Sequence, residues 1–187
     1  MYKVITAVAT EPVTTANAKS HLQVTHADQD TLIAAYVSAA REFAEHYTGR
    51  AFAPQTLEMA LDCFPSDDET ILLDMPPVAS ITHIKYTDTA GTEQTLSSAY
   101  YSLNLYGDER KVALTYGNSW PLTQDIPNAV RIRYVTGYTT LPKSPYAGLL
   151  LLIGHLFENR QAVSALNANE VPLGALALLD TVKIWSK

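Results

Sequence analysis

His155 and Glu158 stand three residues apart in the stretch IGHLFENRQA, residues 153–162. On a helix that spacing makes them neighbours on one face, where an imidazole and a carboxylate can share a metal ion or a proton. A catalytic zinc site takes about three protein ligands, and the helical signature H-E-x-x-H that would supply two of them is absent. The plainer reading is a helix end emerging from a core, with Glu158 or Arg160 in an ion pair at an interface. Metal-assisted hydrolysis by His155 and Glu158 is the enzymatic alternative.

The other reactive side chains are scattered. SDDET, Ser66–Thr70, sets three acids in a row but lacks the alternating acids and the glycine of a calcium loop, so it reads as a solvated loop. Cys63 ends an alternating segment, where a small apolar residue fits, and nothing marks it as a nucleophile. His21, His26, His46 and His83 have no ligand spacing. Glycine-rich phosphate loops and the G-x-S-x-G elbow are both missing. The expectation is a protein with no catalytic residue, no metal site and no cofactor.

Arg131 and Arg133 are different. In a strand they point to one face, with Ile132 and Tyr134 on the other. Lys85, Arg110 and Lys111 fall in the same β-rich region. The set reads either as a local basic surface toward an acidic partner or DNA, or as an ordinary solvated sheet face. With Glu158 and Arg160, the two arginines are the candidate interface residues.

Composition narrows the class. The 187 residues are 47% hydrophobic and 17% charged, enough to bury a core and suited to one domain with a sizeable insertion. A net charge of −6 argues against general coating of nucleic acid. One cysteine makes no internal disulfide and suits a reducing compartment. MYKVITAVATEPVTT has no apolar core of signal-peptide length. The most apolar run, Ala147–Ile153, is far below the roughly 20 residues of a membrane span. The expectation is a soluble cytosolic product that does not enter membranes. Eleven tyrosines outnumber four Phe and two Trp together, which suits subunit contacts that are apolar at one end and wet at the other.

The elements that must position these residues follow from periodicity. VTTANAKSHLQV predicts a short helix entered at Thr14 or Thr15. A longer helix follows, with Thr25 and Asp28 as a variant capping pair, and Gly49 at its end. Its apolar stripe is Leu32, Ile33, Tyr36, Val37, Ala40, Phe43, Ala44 and Tyr47, with Arg41, Glu42 and Glu45 off it. Between Gln55 and Tyr138 six or seven short strands are expected, with turns at Ala90–Gly91 and Gly107–Asp108. Ser144–Pro145 then opens a helix, YAGLLLLIGHLFENR, apolar on nearly all sides. QAVSALNANEV reads as a polar loop and PLGALALLDTVKIW as a closing helix. Helices, then strands, then helices make an α+β fold: a bundle of N- and C-terminal helices (14–50 and 144–185) with an antiparallel β-rich insertion over about 52–140, within one domain spanning 1–187.

Five stretches together resemble one family. VTTANAKSHLQVTHADQDTLIAAYVSAAREFAEHYTGR (13–50), with its Ala-Ala-Arg, Glu and Thr-Gly-Arg pattern, is followed in order by YGNSWP (116–121), PNAVRIRYVTGY (127–138), LLLLIGHLFENRQAV (149–163) and VPLGALALLDTVKIW (171–185). This succession resembles the head–tail connector proteins of long-tailed bacteriophages, the head-completion or adaptor proteins. The resemblance implies a non-enzymatic structural protein of the virion neck, assembled in the host bacterial cytoplasm. It implies a cyclic ring of like subunits, twelvefold to match the portal, seated under the portal protein once DNA packaging is complete. Such a ring extends the DNA conduit without specific recognition of DNA and docks the next neck or tail protein. A different phage structural factor, for tail completion or termination, is the nearest alternative.

Overall fold

The computed structural model describes residues 2–66, 70–104, 110–159 and 173–185. The fold is α+β, and the chain divides into two compact units. A β unit comprises residues 1–9 and 54–138, and a helical unit comprises 10–53 and 139–187.

In the helical unit, α1 (Thr15–Leu22) is capped by Thr14, whose hydroxyl accepts the Asn17 amide at 3.1 Å. The next helix, α2 (Asp30–Thr48), starts later than the Thr25–Asp28 pair predicted. Its N-cap is Gln29, with no side-chain cap; Asp28 instead faces the His26 ring at 3.6 Å, and the first-turn acid is Asp30, bonded to Lys19 at 2.5 Å. Gly49 ends α2 with φ 71°, donating its amide to the Glu45 carbonyl, as the C-terminal glycine predicts.

Ile33, Val37, Ala40 and Ala44 of α2 pack with Val13, Ala18 and Phe52 into one apolar core. α3 (Lys143–Glu158) adds Leu149, Leu152 and Ile153 to it, and α4 (Leu173–Asp180) adds Ala175 and Leu179. Three expectations need correction. Arg41 and Glu45, placed off the stripe, are buried because they satisfy each other there, while Phe43 on the stripe is 40% exposed. Ser144 is not an N-cap. The helix begins before it, and its hydroxyl donates to the Leu178 carbonyl of α4 at 3.0 Å. Nor is α3 covered on all sides, since Leu151 is 39% exposed. Arg160 and the polar loop QAVSALNANEV lie outside the described residues.

The β unit opens with β1 (Tyr2–Thr6), a strand the sequence did not announce. It continues with β2 (Gln55–Leu61), β3 (Ile71–Leu72), β4 (Val78–Thr87), β5 (Glu93–Leu96), β6 (Tyr101–Asn104), β7 (Lys111–Leu114) and β8 (Val130–Thr136). Five strands form one antiparallel sheet in the order β1-β2-β8-β4-β5, and three form another in the order β3-β7-β6. Strict alternation runs through β8, with Val130, Ile132, Tyr134 and Thr136 buried and the residues between them partly exposed. The β4–β5 turn sits at Gly91, φ 82°, where the Asp88 carboxylate accepts the amides of Ala90 and Thr92. The Gly107–Asp108 turn lies outside the described residues. Among the described residues no helix is long and apolar enough to cross a membrane.

Candidate assembly surfaces

Arg131 and Arg133 share the solvent-side face of β8, as the alternation requires. Strand register builds a charged row across the sheet: Lys3 of β1 opposite Glu58, Glu58 opposite Arg133, and Arg133 opposite His83. Arg133 donates to Glu58 through Nε at 2.9 Å and Nη2 at 2.6 Å. One row along, Arg131 lies between Ala60 and Lys85, and both cations converge on Glu93: Lys85 Nζ reaches its Oε1 at 2.7 Å and Arg131 bonds its Oε2. Hydrogen bonding to Lys85 is the main reason the Glu93 carboxyl is held below its ordinary range. His83 is also depressed, first by burial and then by the neighbouring charges of Arg133 and Lys85. The face therefore alternates in sign instead of being uniformly basic. Arg110 and Lys111 go elsewhere, Lys111 to the other sheet and Arg110 immediately before it. Lys85 and Arg131 hold Glu93 in solvent, where ion pairs add little to stability, so a charged partner can exchange for them at small cost.

At the end of α3, His155 and Glu158 do not converge. The His155 ring is half-buried, with Nδ1 3.2 Å from the Asn159 side-chain nitrogen, and Glu158 is exposed. Among the described residues no cluster of His, Cys, Asp and Glu could hold a metal ion. His155 instead lines an open apolar groove of about 210 Å³ between α2 and α3, with Ala39, Ala40, Phe43, Leu152 and Leu156. The groove was not foreseen. Its signal was an apolar stripe on α2 broader than one core-facing side needs, which leaves Phe43 over.

The Ala-Ala-Arg…Glu…Thr-Gly-Arg pattern proves to be internal bracing. Arg41 Nη1 meets Glu45 Oε2 at 2.6 Å, and Arg41 Nε meets Glu11 Oε2 at 2.8 Å. Glu45 Oε1 accepts the Phe52 amide at 2.7 Å. Burial opposes the charge on Arg41, but Glu11 and Glu45 outweigh it and hold the guanidinium above its ordinary value. Burial lifts the Glu45 carboxyl, against the pull of the Phe52 amide and of Arg41. Thr48 donates to the Ala44 carbonyl at 2.8 Å and accepts the Arg50 amide at 3.3 Å, while Arg50 Nε bonds the Val182 carbonyl.

Comparison with known proteins supplies the identity. No curated protein sequence matches the chain. In solved structures, a chain from the "neck of empty GTA particle computed with C6 symmetry" superposes with a TM-score of 0.81 at 22% identity, covering 98% of this chain and 95% of that one. A chain from the "virion of native gene transfer agent (GTA) particle" gives 0.78 at 25% identity, over 98% and 95%. One from the "neck of native GTA particle computed with C12 symmetry" gives 0.79 at 24% identity, over 98% and 94%. The sequence model of the phage gp6-like head-tail connector proteins matches residues 13–106, half of the chain. The chain belongs to the phage gp6-like head-tail connector family, and its work is structural and not enzymatic.

Proposed function

We propose that the protein forms a closed, twelvefold ring beneath the portal, prolongs the DNA conduit and presents the docking surface for the next neck or tail protein. The observation that carries this reading is likeness over 98% of the chain to subunits of particle necks, one of them computed with C12 symmetry. Charge supports it. The β unit holds eleven carboxylates against six Lys and Arg, and the helical unit eight against seven. An acidic lining lets DNA pass without holding it. Assembly takes place in the cytoplasm of the bacterial host, and the protein ends in the virion neck.

Arg131 and Arg133 on the sheet face, Glu158 at the end of α3, and Arg160, two residues further in the sequence, are the proposed contacts with subunits or neck partners. Glu158→Ala is expected to weaken assembly without unfolding the subunit, because the side chain is exposed. Deleting the gene tests the function. Filled heads and complete tails that fail to join are expected. Joined, infectious particles would overturn the reading, and tails of wrong length with normal necks would indicate a tail-termination factor.

A further inference from the structure

The helical unit has an open socket, and the β unit has a side chain shaped to enter one. The socket is the apolar groove walled by Ala39, Phe43, Leu152, His155 and Leu156. Phe43 continues the apolar surface outward by stacking on Tyr47, whose ring lies 3.9 Å beneath the Lys183 ammonium. The knob is Leu122, 82% exposed, on the segment between β7 and β8. It does not fill a groove in its own chain, because it is exposed.

Leu122 is held in place from both sides. Trp120, two residues earlier, is buried and stacks on Phe64 at 4.9 Å. Thr123 forms a β-bridge to Asp88, and the Gln124 amide donates to the Thr87 carbonyl at 3.1 Å. Downstream, the Asn128 amide donates to Asp62 at 2.8 Å. A large apolar side chain on a pinned segment has already lost the conformational freedom that binding would otherwise cost. The same segment exposes Tyr116 and Ile126.

We propose that Leu122 of one subunit seats in the α2–α3 groove of the next, as the repeating contact of the ring. This rests on the ring reading above. A cyclic assembly needs two unlike patches on each subunit that fit one another, so that every contact is the same and the last closes on the first. This chain carries such a pair. The charges are compatible: Asp125 is the one charged residue in 116–128, and the groove walls hold one titratable group, His155, and no carboxylate. A lone exposed leucine is ordinary. Its rigid presentation, together with an open apolar groove walled by Ala39, Phe43, Leu152 and Leu156 on the same chain, selects a second copy as the occupant.

Cross-linking in assembled rings tests this, in a Cys63→Ser background because Cys63 is exposed. Leu122→Cys and Ala39→Cys proteins, mixed, assembled and treated with a short bis-maleimide, should give dimers that neither gives alone. A chain carrying both cysteines should give a ladder. Leu122→Asp should raise the concentration needed for assembly about tenfold or more, with the melting temperature unchanged. Rings of normal mass from Leu122→Asp, without cross-linking of the paired cysteines, overturn the proposal and leave the ring reading standing. No ring from the wild-type protein, with or without portal, overturns both.

Discussion

The Arg41 guanidinium and the Glu45 carboxylate meet at 2.6 Å across one turn of α2, and each side chain is less than a tenth exposed. Through Glu11 and the Phe52 amide, the pair ties down the segments by which the chain enters and leaves the first part of the helical unit. A buried charge without its partner is costly, whereas a buried pair replaced by apolar side chains of similar volume often is not. Arg41→Ala and Glu45→Ala are each expected to cost about 3–5 kcal/mol in urea unfolding. The double variant Arg41→Met/Glu45→Leu should cost less than either single change. Single-site losses under about 1 kcal/mol, the range of surface pairs, would show that the pair does not brace the unit.

Two glycines of α3 should respond oppositely to alanine. A Cβ on Gly148 would stand 3.3 Å from the Ala175 carbonyl oxygen and from Leu179, where α4 packs closely. Gly148→Ala should destabilise by about 1–3 kcal/mol. At Gly154 the nearest atom is His21 Nε2 at 3.6 Å, an ordinary contact. There alanine should add about 0.5–1 kcal/mol through helix propensity. Thermal unfolding of the two variants side by side checks the contrast, and equal signs would refute it.

Tyr134 is fully buried in β8, and its hydroxyl donates to the Asp74 carbonyl at 3.0 Å. Tyr134→Phe should cost about 0.5–1.5 kcal/mol at neutral pH. Burial raises the phenol well above its ordinary value of 10.0. The unfolded chain thus ionises first, and the advantage of Tyr134 is lost as pH rises past about 10. Denaturant midpoints of the two proteins should converge above that pH; a gap that widens instead would contradict the buried hydrogen bond.

His83 should titrate below 6.5 in the folded protein, followed by its ring proton resonances. Burial is the larger cause, so Arg133→Ala should raise the value only partway. A depressed imidazole pKa means that the His83 contribution is complete above the unfolded value and falls away as pH drops through the folded one. A normal titration in the wild-type protein would show that neither burial nor the two neighbouring cations act on the ring.

The order of elements was legible because hydrophobic period and turn residues are local signals. Gly49 and Gly91 mark a helix end and a turn by the backbone conformations they permit. Strand β1 was not legible, since all five residues are exposed and the strand it pairs with, β2, lies far along the chain. Arg41 and Glu45 read as surface residues because a sequence shows charge and not partners. The arginine face was half legible: alternation placed Arg131 and Arg133 together, but only strand register could bring Glu58 and Glu93 against them. His155 and Glu158 had helical spacing, yet the side chains diverge, one toward the α2–α3 groove and one to solvent.

The most direct test of the ring is the native mass of the purified protein with and without its portal. A single closed species of twelve subunits, formed alone or on the portal, is the predicted result. A monomer at every concentration that also fails to bind the portal would contradict it.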